Sequence, residues 1–171
     1  AMNIGIRRAI GDYVWFMNSG DLATEKSLTL LEVINDCKDF YSFGVVNQFE
    51  NLSYKRNSTK HSPCHQGFIC RRSVLQINTF DTNFPLSADH RQMKSIIAIC
   101  NGEFIDNSVA IYDNNGLTSL PQLARLHLTR NESLTFKMAF VVKALLITIL
   151  GKRAFIRFIN EVVNRRVETS S

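Results

Sequence analysis

Tyr13-Val14-Trp15-Phe16-Met17 runs directly into Asn18-Ser19-Gly20-Asp21. Five bulky apolar residues, bounded by Gly11-Asp12 before and Ser19-Gly20 after, read as a buried strand. Open α/β sheets bind ligands in the crevice beyond the carboxyl ends of their strands. Asp21 stands at such an end, beside a Ser-Gly pair that lets backbone come close to a ligand. It is therefore a candidate for a metal- or phosphate-linked site. The position also suits a turn aspartate that caps the following helix.

On either side of this stretch, strand and helix patterns alternate. Met2 to Ile10 reads as a helix with Met2, Ile6, Ala9 and Ile10 on one face and Gly11 as its stop. Beyond Asp21, Thr24 or Ser27 can cap a helix carrying Leu28, Leu31, Val33 and Ile34. Phe40–Val46 reads as a strand, 47–62 as a polar hairpin or loop, Gly67–Cys70 as a short strand and Ser73–Gln76 as a helical turn. Ala88–Cys100 has a helical period, with Met93, Ile96, Ile97 and Cys100 on one side. Glu103–Asp113 reads as a strand or hairpin, Asn114-Asn115-Gly116 as a turn, and the remainder from Leu120 as helix. The expected class is α/β with a C-terminal helical appendage.

At 171 residues, 45% hydrophobic and 20% charged, the chain has globular composition and room for a sizeable core. Cys37, Cys64, Cys70 and Cys100 show no paired framework, which implies free thiols in a reducing compartment. The net charge of +5 is unevenly placed. Residues 125–171 hold nine Lys and Arg against three Asp and Glu, so the whole basic excess lies in the last quarter. Such asymmetry suits an anionic membrane surface, a nucleic acid or an acidic partner. The chain carries no helix-turn-helix or RNA-binding signature, which argues against nucleic acid. His61, Cys64, His65 and Cys70 offer a set of zinc-type ligands, but adjacent Cys64-His65 is a poor fit to one tetrahedral ion.

Several blocks resemble family 2 glycosyltransferases, the GT-A fold enzymes that build bacterial surface polysaccharides. They are Ala1-Met2-Asn3-Ile4-Gly5-Ile6, Ala9-Ile10-Gly11-Asp12-Tyr13 and Phe16-Met17-Asn18-Ser19-Gly20-Asp21, then Pro63-Cys64-His65-Gln66-Gly67-Phe68-Ile69-Cys70-Arg71-Arg72-Ser73. Phe80-Asp81, Ser87-Ala88-Asp89-His90 and Val109-Ala110-Ile111-Tyr112 continue the series. The resemblance covers residues 1–119. It implies a partial GT-A, Rossmann-like mixed sheet with flanking helices over 1–119; the basic amphipathic helical tail over 120–171 is read from its own residue pattern.

The resemblance also assigns roles. The implied reaction is an inverting transfer of a sugar from a nucleotide-diphosphate donor to a glycan or lipid-linked acceptor. Asp21 matches the last acid of the family's metal motif and would hold Mg²⁺ or Mn²⁺ against the diphosphate. Asn18 stands where many relatives carry an earlier acid, which should weaken metal affinity. Asp89 matches the catalytic base, although an aspartate opening a helix is also a plain stabilising placement. His65 and Gln66 would line the donor or acceptor pocket. Arg71 and Arg72 could hold phosphate, although strand neighbours point to opposite faces.

Relatives place the segment resembling Ala1-Met2-Asn3 about a third of the way along, after a nucleoside-binding half. The expectation is therefore a fragment, or half of a split enzyme whose other chain supplies that part, with little or no activity alone. The alternative is an inactive remnant that binds only a membrane or a partner. In the tail, Met138–Leu150 is apolar but interrupted by Lys143, too short to span a bilayer. Beyond Gly151, Phe155, Ile156, Ile159 and Val163 share a helical face beside Lys152, Arg153 and Arg157. Residues 133–166 could thus lie on an anionic membrane or pack as a helical hairpin on the domain. The expected location is cytoplasmic, peripheral at the inner membrane.

Overall fold

The computed structural model describes residues 1–34, 37–49, 52–84, 86–113, 131–151 and 154. The chain divides into two compact units, Ala1–Thr118 and Ser119–Ser171. In the first, the element order is α1 (Met2–Arg8), β1 (Tyr13–Trp15), β2 (Leu22–Ala23), α2 (Ser27–Leu31), β3 (Phe40–Phe49), β4 (Leu52–Arg56), a 3₁₀ turn (His65–Gly67), β5 (Phe68–Arg71), α3 (Arg72–Ile77), α4 (Ala88–Ile99) and β6 (Gly102–Asp113). The described part of the second unit is chiefly α5 (Leu134–Leu150).

β3 is the spine of a six-stranded mixed sheet ordered β1-β5-β3-β6-β2. One edge of β3 carries β6 in parallel from Phe40 to Gln48, with a bulge around Gly44. The other edge carries β5 antiparallel at Phe40–Ser42 and then β4 antiparallel from Val45 to Phe49. β1 lies at the sheet edge, paired antiparallel with β5 from Tyr13↔Arg71 to Trp15↔Ile69.

Strand alternation sends successive side chains to opposite faces, and the opening sequence shows it directly. Val14 and Phe16 join the core formed by Ile6, Phe40, Phe68, Cys70, Leu75, Phe80, Met93 and Ile96, beneath α1, α3 and α4. Tyr13, Trp15 and Met17 join the other core, around Tyr41, Phe43, Val45, Cys64, Ile69, Val109 and Ala110, which Leu30, Leu31 and Ile34 cover. A strand apolar on both faces is what burial in two cores requires.

Some local expectations shift. β1 ends at Trp15 rather than Met17. α1 ends at Arg8, Ala9 is extended, and Ile10 is 95% exposed rather than on the buried face. α2 has no side-chain cap. Thr24 instead donates its hydroxyl to the Ser108 carbonyl at 3.1 Å, and Leu28 faces solvent. The polar stretch after Val46 forms the β3–β4 hairpin. The expected turn at 114–116, helix from 120 to 130 and apolar face at 155–163 lie outside the described residues. Among the described residues, no helix is long and apolar enough to cross a membrane.

Two glycines give opposite expectations. A Cβ on Gly67 would lie 2.1 Å from the Phe43 carbonyl oxygen, a backbone atom that cannot swing away. Gly5, inside α1, has only Phe16 Cε1 near, at 3.6 Å. Gly67→Ala should destabilise the protein by about 1–3 kcal/mol, whereas Gly5→Ala should stabilise it by about 0.5–1 kcal/mol. Urea denaturation of the two variants checks the contrast in sign.

Candidate active site

The chain turns sharply after β1. The Asp21 amide donates to the Asn18 carbonyl at 3.1 Å, and the Asn18 amide donates to Asp21 Oδ2 at 3.1 Å. Gly20 sits at φ 92°, the left-handed geometry that a turn with this third residue requires. Asn18 thus serves the turn through its backbone, and Asp21 is held at the C-terminal end of β1, partly exposed.

The 3₁₀ turn lies against this end of the strand. Trp15 Nε1 donates to the Gln66 carbonyl at 2.7 Å, tying β1 to the turn. His65 and Gln66 are each only 8% exposed. The His65 ring lies nearly parallel to Phe16, with centroids 6.2 Å apart and planes at 15°, and meets Phe80 edge-on at 6.2 Å. Phe80 is fixed from a distance. Asn3 Nδ2 donates to its carbonyl and Asn3 Oδ1 accepts from its amide, both at 2.9 Å.

His65 Nε2 is buried and, among the described residues, has no hydrogen-bond partner. A buried polar atom left unpaired costs about 1–3 kcal/mol, so it marks a place where a ligand or water would be accommodated. Burial pulls the His65 pKa below its ordinary value, while the negative charges of Asp89 and Asp21, in that order, oppose the shift. Both carboxylates therefore act on one imidazole from different elements: Asp21 from the turn after β1, Asp89 from the first turn of α4. Asp89 Oδ1 accepts from the His90 amide at 2.8 Å. His90 is also held below its ordinary pKa, first by burial, then by Lys94 and Arg56, against Asp89.

Arg71 and Arg72 are placed elsewhere. The antiparallel register sets Arg71 opposite Tyr13, at the far end of β1 from Asp21. There Arg71 donates to the Tyr13 hydroxyl at 3.0 Å, stacks over its ring and approaches Asp39. Arg72 donates to the Gly11 carbonyl at 3.0 Å. The geometry thus joins these two residues to β1's beginning and does not bring them to the Asp21 turn. The zinc-type residues, a poor fit to one ion from their spacing, are dispersed as well. Cys64 and Cys70 belong to different cores, His61 is exposed, and among the described residues no three His, Cys, Asp or Glu could hold one ion. Burial pushes the Cys64 thiol up and the Cys70 thiol up to about 12, so both are packing groups rather than nucleophiles.

For a metal at Asp21, the residues present allow a single protein carboxylate. Mg²⁺ commonly accepts one or two carboxylates plus substrate phosphate oxygens and waters, so Asp21 fits a donor-borne ion and not a stand-alone metal cage. Trp15, Phe16, Phe80 and Asn3 were not legible as site residues. Their contacts with the turn or with one another span tens of residues, and no local pattern signals them.

No protein-family model and no curated protein matches the chain by sequence. A solved structure, residues 1–349 of TarS from S. aureus, is similar in fold at TM-score 0.51 and 13% identity, covering 88% of this chain and 51% of that one. TarS is a glycosyltransferase. The likeness speaks for the fold alone, a Rossmann-like α/β architecture with a mixed sheet and flanking helices. The chain spans about half the length of that structure.

A depressed histidine pKa fixes the sign of the pH dependence. Between the folded and unfolded values the unfolded chain binds more protons, so stability present above about pH 6.5 is lost as the pH falls through that value toward the folded one. Urea midpoints should therefore drop between pH 7.5 and 5.5. His65→Gln, which cannot titrate there, should show a smaller drop.

Proposed function

We propose that the Asp21–His65–Asp89 cleft is the donor and acceptor site of an inverting, family 2-like glycosyl transfer from a nucleoside-diphosphate sugar to an acceptor hydroxyl. The observation that carries this reading is the buried, unpartnered His65 Nε2 under the influence of two carboxylates from separate elements. The TarS-like fold supports it at the level of architecture.

In this reading the acceptor hydroxyl attacks the anomeric carbon from the face opposite the diphosphate. Asp89 takes the hydroxyl proton as the new carbon–oxygen bond forms, a contribution of about 10²–10⁴ in rate. The bond from the anomeric carbon to the diphosphate oxygen breaks, and the electron pair leaves with the diphosphate. Asp21 would hold a Mg²⁺ or Mn²⁺ ion, which when bound neutralises the charge on the leaving diphosphate. His65, fixed between Phe16 and Phe80, offers Nε2 to a donor oxygen. Gln66 is assigned to sugar hydroxyls.

A second reading has its own observation. Among the described strands, β1 pairs with β5 alone, and a strand with one open edge is a template for another chain. On that reading the unit binds donor or partner without turnover unless a separate polypeptide completes the sheet.

Two variants separate the roles. Asp89→Asn should cut donor-dependent transfer by about 10²-fold or more while leaving the affinity for a nucleoside diphosphate with Mn²⁺ unchanged. Asp21→Ala should abolish the Mn²⁺-dependent part of that affinity. Isothermal titration calorimetry reads the binding, and product formation reads the transfer. Unchanged transfer in Asp89→Asn, or full Mn²⁺-dependent affinity in Asp21→Ala, removes the assigned role.

A further inference from the structure

α5, in the second unit, is a helix with defined ends and an unusual surface. Ser133 caps it, its Oγ accepting from the Phe136 amide at 3.3 Å, and Gly151 at φ 75° terminates it. Its seventeen residues include no carboxylate and only two charges, Lys137 and Lys143. At about 1.5 Å per residue the helix is about 25 Å long, short of the ~30 Å hydrocarbon layer.

Six apolar residues recur every three or four positions along one side and stay exposed: Leu134 at 74%, Met138 at 57%, Val142 at 50%, Leu145 at 54%, Leu146 at 36% and Ile149 at 75%. Isolated exposed hydrophobics are ordinary, but a continuous apolar stripe marks an interaction surface. At 3.6 residues per turn, Lys137 falls on one flank of this stripe and Lys143 on the other. Long cationic side chains on the flanks of an apolar face can bury their stems and keep their charges at headgroup level. The surrounding sequence has the same sign, with nine Lys and Arg against three acids over residues 125–171.

We propose that α5 lies flat in the interfacial layer of an anionic lipid membrane, its stripe in the acyl boundary and its flanking lysines among acidic headgroups. Charge selects this occupant. A second copy would bring the same cationic flanks against each other, whereas an acidic bilayer attracts them. The breadth of the stripe also exceeds the narrow seam of a two-stranded coil. The proposal is independent of the catalytic reading, since it is argued from α5 and the charge of its surrounding sequence alone.

The test is flotation of the full chain with vesicles of pure phosphatidylcholine or of phosphatidylcholine containing phosphatidylglycerol. The wild type should float with the acidic vesicles, and binding should weaken as salt is raised. Val142→Glu combined with Leu145→Glu should reduce binding at least about tenfold. Lys137→Glu combined with Lys143→Glu, which leaves the stripe intact, should abolish the preference for acidic over neutral vesicles, a loss of about tenfold or more. Circular dichroism establishes that each variant keeps its helices. Equal binding to both vesicle types, no binding to either, or wild-type binding by the stripe variant overturns the proposal. So does light scattering that shows a dimer dissociated by the stripe variant when the wild type does not float.

Discussion

The hydrogen bond from Trp15 Nε1 to the Gln66 carbonyl joins the strand that begins the sheet to the turn that carries the buried histidine. Much of the site follows from it. With Trp15 pointing to one core, the neighbouring Phe16 must point to the other, because a strand alternates. Phe16 then forms one wall against the His65 ring, and Phe80 meets it edge-on. Gly67 completes the constraint, since its bare Cα lies against the Phe43 backbone and brings the turn onto the central strand. One indole hydrogen bond, one aromatic wall and one glycine therefore fix the imidazole within narrow limits.

The electrostatic influences on His65 oppose one another. Desolvation favours a neutral imidazole, and two carboxylates favour a charged one; desolvation dominates, so His65 rests neutral near pH 7 with an unsatisfied nitrogen. Such an arrangement is costly for folding, and under the proposed function it would leave a polar group already positioned for the donor. Perturbed titratable groups gathered in a cleft are a recognised pointer to functional sites, though ion-pair networks produce them as well. His65 Nε2 shares its unpaired state with Asn47 Nδ2 and Ser108 Oγ among the described residues, and of the three it belongs to a titratable group.

The fold class was legible because its signals are local. The apolar run at 13–17, the helical period at 88–100 and the turn residues at 18–20 each sit within a few positions of one another. Asp21, His65 and Asp89 were legible as candidates because motif spacing surrounds them. What could not be read was register. Only the Tyr13↔Arg71 pairing shows that Arg71 and Arg72 serve the beginning of β1, and no property of an Arg-Arg pair encodes that. The aromatic enclosure of His65 was hidden for the same reason: Asn3 orders Phe80 from 77 positions away. Ile10 misled because a helical period can continue past the point where the backbone turns extended. The apolar character of 138–150 was visible, but which of its residues face outward required coordinates.

The account stands on two carboxylates from different elements sharing one imidazole. The direct measurement is the His65 pKa, followed by NMR of the ring protons in the wild type, Asp21→Asn and Asp89→Asn. Both carboxylates raise that pKa, so removing either should lower it further, with the larger drop for Asp89→Asn. A His65 titration that is the same in all three proteins would contradict the shared cleft.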